Sequence, residues 1–218
     1  MIVTIGGIKG GVGKSLIAVN LAVIRSLDGK KVLLVDGDDQ GTASDWADHR
    51  MGLGITTPWT TIRLKGVSVR NELIKMKDDY DDIVIDCGGR DTASLRAALT
   101  ISDVFVVPFQ PKSFDIWTVS QVSEVVEEAR SINPSLQAYS FINCGGARGK
   151  DNEEAQNILK QVDGISPIPV SVGLRKAFSN ATAEGLGVVE FKPQDKKASS
   201  EIKTLYRHVF DTEKTSKR

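Results

Sequence analysis

The opening stretch constrains this chain more than any other. Ile2-Val-Thr-Ile5 is a short run of β-branched residues that reads as a buried strand, and Gly6-Gly-Ile-Lys-Gly-Gly-Val-Gly13 follows as a glycine-rich turn. Lys14 and Ser15 come next, and Leu16-Ile-Ala-Val-Asn-Leu-Ala22 then opens a helix. In a strand–turn–helix of this order, Gly10, Gly11 and Gly13 let the backbone turn successive N–H groups inward around an anion, and the helix start adds a favourable dipole. Lys14 is placed to reach a β/γ-phosphate pair and the Ser15 hydroxyl suits Mg²⁺. A glycine-rich turn that binds nothing is the plain alternative, but strand, turn, lysine, hydroxyl and helix all fall in order.

At 218 residues the chain can bury one sizeable core and is short for two domains. It carries 28 basic and 28 acidic side chains, so any contact with DNA must come from a local patch rather than from overall charge. No apolar run approaches a membrane span, and Met1 leads into the first strand without a basic leader. The expectation is a single cytoplasmic domain over residues 1–218. Cys87 and Cys144 form neither a disulfide framework nor a Cys-x-x-Cys pair and read as small residues at strand ends.

Strand patterns alternate with helical ones along the chain. This predicts an α/β fold, a mostly parallel twisted sheet flanked by helices, with ligands at the carboxyl ends of the strands. Lys31-Val-Leu-Leu-Val-Asp36 is a second strand delivering Asp36-Gly-Asp38-Asp39-Gln40-Gly41 to the edge that carries the glycine-rich turn. A carboxylate at Asp38 can orient an incoming nucleophile, whereas Asp36 can serve structure. A solvated acidic turn is the alternative reading of this cluster. Tyr80-Asp-Asp-Ile-Val-Ile-Asp86 matches a strand whose final aspartate holds a Mg²⁺-bound water opposite Ser15; a capping aspartate is the alternative. Between these, residues 42–51 and 67–76 read as helices with a strand near 60–64, and Trp46 and Trp59 read as packing residues rather than base-stacking ones. Further on come a strand at 103–108, a long helix stopping at Asn133-Pro134, and a strand over 136–143.

The segment Lys9-Gly-Gly-Val-Gly-Lys-Ser15 resembles the deviant Walker A motif of the ParA/MinD family of dimerising ATPases, with Ile8 where the strict P-loop has glycine. The resemblance implies a P-loop NTPase fold binding ATP and Mg²⁺ through Gly10, Gly11, Val12, Gly13, Lys14, Ser15 and Leu16. It implies that Lys9 crosses the dimer interface to the partner's nucleotide, and that Lys9, Lys14 and Asp38 serve catalysis, with Ser15, Asp38 and, through water, Asp86 around the metal. Asp36 to Gly41 is similar to the family's switch, with Asp39 in place of its usual proline; losing that fixed φ bears on hydrolysis more than on binding. Cys87-Gly-Gly89 invites comparison with iron–sulfur relatives, but no second cysteine has matching context, so no cluster is expected. Pro111 to Trp117, with Asp115, resembles a Pro-x-x-x-Asp-x-Trp segment of small plasmid-partition members. By the same resemblance Asn143 is a base contact, with a turn-forming Asn as the alternative, and Pro167-Ile-Pro169 is an adenine-side loop.

Residues from 172 onward resemble the family's segment for nonspecific DNA and partner contacts, which assigns Arg175, Lys176, Lys197 and Lys203 to DNA. Lysines and arginines outnumber carboxylates there, although a charged solvent face reads equally well. The last helix carries Ile202, Leu205, Tyr206, Val209 and Phe210 on one face, and the polar tail after it favours packing on the sheet over membrane binding. The family implies a homodimer on ATP, nucleoid association through DNA and a ParB-like or other cargo adaptor. A membrane-cycling MinD-like ATPase, a metabolic ligase of the dethiobiotin synthetase type and a nucleotide-holding scaffold are the rivals.

Overall fold

The computed structural model describes residues 1–89, 92–111, 116–146 and 150–211, the side chains of residues 116 and 117 excepted. Asp115 and the side chain of Trp117 therefore lie outside the described residues. Seven strands form one sheet: β1 Ile2–Ile5, β2 Val32–Asp36, β3 Thr60–Arg63, β4 Asp82–Asp86, β5 Val104–Phe109, β6 Gln137–Gly145 and β7 Ser166–Gly173. Their order is β3-β2-β4-β1-β5-β6-β7 and every pairing is parallel, as expected from strands alternating with helices.

Period-two alternation distributes each strand between two layers. Val32 and Leu34 of β2 enter the core shared with helices α1 (Lys14–Leu27), α2 (Thr42–Gly52), α7 (Lys176–Ala183) and α8 (Lys196–Phe210). Leu33 and Val35 enter the opposite core with α3 (Ser68–Met76), α4 (Ala93–Leu99), α5 (Ile116–Ile132) and α6 (Asp151–Leu159). Helix α1 is buried continuously from Ile17 to Ile24 because it lies under the sheet and also packs against α2 and α8.

The apolar face of α8 packs inward, as its polar tail suggested: Ile202, Leu205 and Val209 are fully buried. A polar network pins it, since Tyr206 Oη donates to Asp28 and accepts from Arg25, whose Nε donates to Asp82 at 2.6 Å. Among the described residues no helix is long and apolar enough to cross a membrane.

Trp46 and Trp59 are core residues, stacked with centroids 5.8 Å apart. Over them lies Arg50, 3% exposed, which forks onto Glu190 through two 2.8 Å bonds and donates to the Thr56 and Gly185 carbonyls. The Pro167–Pro169 segment requires a correction: both prolines lie inside β7, with Pro169 exposed, and not in a loop. β7 is an edge strand whose register shifts against β6, and such a strand tolerates residues that lack an N–H.

Candidate active site

The strand order places the site. β4 lies between β1 and β2, and the register aligns Ile5 with Asp86 and Asp36 with Asp86, so three strand ends meet at one level of the carboxyl edge. From β1 the chain turns through the glycines into α1; Gly11 and Gly13 adopt φ of 72° and 88°. Gly13 is required twice over, because a Cβ there would stand 2.4 Å from the Asn143 side-chain nitrogen.

Two side chains from the far half of the sheet hold this turn. Asn143, at the end of β6 and 1% exposed, donates through Nδ2 to the Val12 carbonyl at 2.7 Å. Gln110, just beyond β5, donates through Nε2 to the Gly11 carbonyl at 2.8 Å. The sequence offers Asn143 as a base contact or as a turn-forming Asn and does not single out Gln110; in the structure the amide nitrogen of each donates to the turn's backbone. The position of Gln110 directly after a buried strand was the available signal.

Lys14 is 6% exposed and its ammonium donates to the Lys9 carbonyl at 2.7 Å. Burial pulls its pKa down, while the Asp86 and Asp38 carboxylates oppose that shift. Gly88 and Gly89 close the other wall: a Cβ on Gly89 would meet Gly10 Cα at 2.7 Å, and one on Gly88 would meet Asp38 Oδ1 at 3.1 Å. Between the turn, the Gly37–Gln40 segment and Gly88–Gly89 lies a cavity of about 720 Å³. Its lining includes Gly10, Gly11, Gly13, Lys14, Ser15, Leu16 and Asp38, so most of the expected phosphate residues converge on one space. Val12, 4% exposed, contributes its carbonyl to Asn143 rather than a side chain to the cavity, and Pro169 is not among the lining residues.

The three aspartates divide their work. Asp36 is fully buried and structural, accepting from Ser44 N at 2.8 Å and Asp38 N at 3.2 Å. Asp38 reaches the cavity from that turn and accepts from Gln40 N at 3.2 Å. Asp39, where a proline was expected by resemblance, pairs with Lys65 at 2.9 Å on the surface, which holds its carboxyl below the ordinary range.

Asp86 is fully buried, and neither of its carboxylate oxygens has a hydrogen-bond partner among the described residues. The Ser15 hydroxyl approaches closely enough to favour the charged form without reaching hydrogen-bond geometry. Burial dominates and pushes the pKa up to about 7, with Asp36 and Asp38 adding to the shift. Orphaned anionic oxygens facing a hydroxyl fit a hard cation held by Ser15 and by a water on Asp86. Among the described residues no cluster of three or more acidic, histidine or cysteine side chains could hold a metal ion.

Of the residues expected at DNA, Lys176, Lys197 and Lys203 are exposed, whereas Arg175 is folded onto Glu201. Lys9 joins the turn at its start, outside the cavity lining.

A parallel sheet with this glycine turn, a buried lysine and a strand-terminal aspartate defines a P-loop nucleotide-binding protein. The CobQ/CobB/MinD/ParA nucleotide-binding domain model matches residues 3–189, and the chain belongs to that family. Among its relatives is the maintenance of carboxysome distribution protein A of Halothiobacillus neapolitanus, 26% identical over 208 residues and 94% of each chain. Similar structures include a plasmid partition protein from Borrelia burgdorferi B31 bound to AMPPNP (TM-score 0.72, 22% identity, 97% of this chain and 98% of that one). The septum site-determining protein MinD of Pyrococcus horikoshii with Mg-ADP matches at TM-score 0.74 and 20% identity, covering 97% and 96%.

Proposed function

We propose that this chain is an ATPase that dimerises on ATP and positions or segregates a cargo along DNA. The observation that carries the reading is the cavity itself, where Lys14 and Ser15 at the end of the glycine turn meet Asp38 from the segment after β2, with a second lysine, Lys9, in the same glycine turn. The open face of Gly10 supports a phosphate there: a Cβ would meet no atom of the described residues within 4 Å, so the space is available to a ligand.

In this reading the N–H groups from Gly10 to Ser15 and the Lys14 ammonium hold the triphosphate, and the ammonium leaves the Lys9 carbonyl to do so. The Ser15 hydroxyl and, through a water, Asp86 would hold Mg²⁺, which would supply positive charge against that developing on the phosphates. Asp38 orients the attacking water, and Lys9 reaches the nucleotide of a second subunit. The paired subunits join Lys176, Lys197 and Lys203 into a surface for DNA without sequence preference, with Arg175 beside them. An adaptor stimulates hydrolysis and releases the subunits, so ATP acts as a timer. The relatives' names favour a carboxysome, plasmid or chromosome as cargo; in this reading the protein works in the cytoplasm, at the nucleoid. The buried apolar face of α8 speaks against a membrane-cycling alternative.

Light scattering on Asp38→Ala with ADP and then ATP, followed by a gel shift on random-sequence duplex, tests the reading. A dimer formed only with ATP, and only then bound to DNA, is expected. A monomer that ignores DNA in both states would overturn the reading in favour of a metabolic enzyme on the same fold.

A further inference from the structure

Arg175 lies between β7 and α7, at the carboxyl edge of the sheet. Its guanidinium folds back over Gly173, where a Cβ would come within 3.2 Å of Nε, and meets Glu201 of α8 in a two-pronged contact. Arg175 Nε donates to Glu201 Oε2 at 2.9 Å and Nη2 donates to Oε1 at 2.5 Å. Oε2 also accepts from the Gly173 N–H at 3.0 Å. One carboxylate thus fills a site built from a guanidinium fork and a main-chain N–H. That donor set is also the one that binds two oxygens of a phosphodiester.

The surroundings suit exchange rather than permanent burial. The Arg175 and Glu201 side chains are 26% and 23% exposed, so an incoming anion can reach them. Lys176 directly follows Arg175 and Lys197 lies one helical turn before Glu201, both exposed, and α7 has no acidic residue in its first turn. The nearby Asp195 is already committed, its Oδ1 capping α8 through the N–H groups of Lys197 and Ala198. Glu201 is the anion in direct contact with Arg175, and Asp195 acts on the guanidinium without a hydrogen bond to it.

We infer that Glu201 occupies the place of a DNA phosphate on Arg175, and that DNA binding exchanges one anion for the other. This rests on the DNA-binding reading above and adds its regulation: the free chain keeps its best phosphate-binding side chain neutralised, and nonspecific DNA must displace an internal competitor. A static tie between α8 and β7 is the competing explanation, and it predicts no exchange.

Glu201→Gln separates the two, because the amide oxygen still accepts from Gly173 N–H while the negative charge is gone. Affinity for a fluorescein-labelled random-sequence 30-base-pair duplex is measured with a non-hydrolysable ATP analogue, in the native and Arg175→Ala backgrounds. Glu201→Gln should tighten binding roughly fivefold at low salt and give no gain when Arg175 is alanine. An equal gain in both backgrounds would mean bulk charge and would overturn the exchange, as would no gain in a protein that otherwise binds DNA. Absence of DNA binding in every variant, native included, would instead remove the DNA reading itself and the exchange with it. A second measurement needs no variant: the ¹⁵N signal of the Arg175 Nε–H should move when duplex is added to the ATP-analogue form, and a signal unmoved at saturating duplex overturns the proposal.

Discussion

The Asn143 side chain and the Val12 carbonyl are joined by a 2.7 Å hydrogen bond across 131 positions of chain, so the end of β6 fixes the turn that β1 begins. Both groups are buried, and the same amide nitrogen sits where a Cβ on Gly13 would be. The phosphate cradle is thus set partly by the other half of the sheet.

Asn143→Ala leaves a buried carbonyl unpaired, a loss of about 1–3 kcal/mol, and much of it should fall on the geometry of the turn. Nucleotide affinity should drop about tenfold, read by isothermal titration. The loss should be the same for ATP and for inorganic tripolyphosphate, because the amide acts on the turn. If only ATP binding weakened, Asn143 would be contacting the base after all.

Gly10 separates stability from binding. A Cβ there meets nothing within 4 Å, so Gly10→Ala should leave the thermal midpoint nearly unchanged, with stability within about 0.5 kcal/mol. The methyl group projects into space the phosphates need, and ATP affinity should fall by at least tenfold. Gly89→Ala is the contrast, since its Cβ would stand 2.7 Å from the Gly10 Cα and the backbone itself must shift. Differential scanning fluorimetry with and without ATP distinguishes them: a Gly10→Ala protein that still shifts normally with ATP would contradict the cradle.

Arg50 carries the largest stability expectation outside the site. It is 3% exposed and forks onto Glu190, which is 19% exposed. Arg50→Met leaves that carboxylate with the Gly187 N–H but no cation and takes the donor from two main-chain carbonyls, at a cost of about 3 kcal/mol, or roughly 6–12 °C in midpoint for a chain of this size. The double variant Arg50→Met, Glu190→Leu should recover part of the loss, since an apolar pair needs no partner charge. A single variant as stable as the native protein would show the ion pair to be idle.

What could be read from sequence follows the range of the interactions. The strand, glycine turn and α1 were legible because strand period, glycine placement and helix pattern all lie within a couple of dozen residues, and Asp36 and Asp86 were legible as ends of apolar runs. Helices α2 and α3 and strand β3 also fell where periodicity put them. The contacts that complete the site were not legible: Asn143 to Val12 and Gln110 to Gly11 join segments about a hundred residues apart, and no local pattern encodes an amide aimed at a distant carbonyl. Arg50 carries no local signal in the sequence because its partner lies 140 positions away. The prolines at 167 and 169 read as a loop by resemblance, whereas their place on a bulged edge strand is a property of the assembled sheet.

Asp86 gives the expected pH dependence. Its carboxyl is shifted from the ordinary 3.8 up to about 7, chiefly by burial, so between those values the folded chain holds a proton that the unfolded chain has lost. Stability from this group is therefore greatest below about pH 4 and declines as pH rises toward 7, because charging a buried carboxylate without a partner is unfavourable. Asp86→Asn removes that cost. Without nucleotide it should melt higher than the native protein at pH 8, with the advantage shrinking toward pH 5; a gain of about 1 kcal/mol corresponds to roughly 2–4 °C. With nucleotide the order should reverse, since the amide cannot orient a cation-bound water as the carboxylate does, and Mg²⁺ should then add little to ATP affinity. Melting curves at pH 5, 6.5 and 8, with and without Mg²⁺ and ATP, cover both halves. A variant whose advantage is the same at all three pH values would show that the native carboxylate is already charged across the range, and that a proton is not what keeps it stable in the apolar strand end.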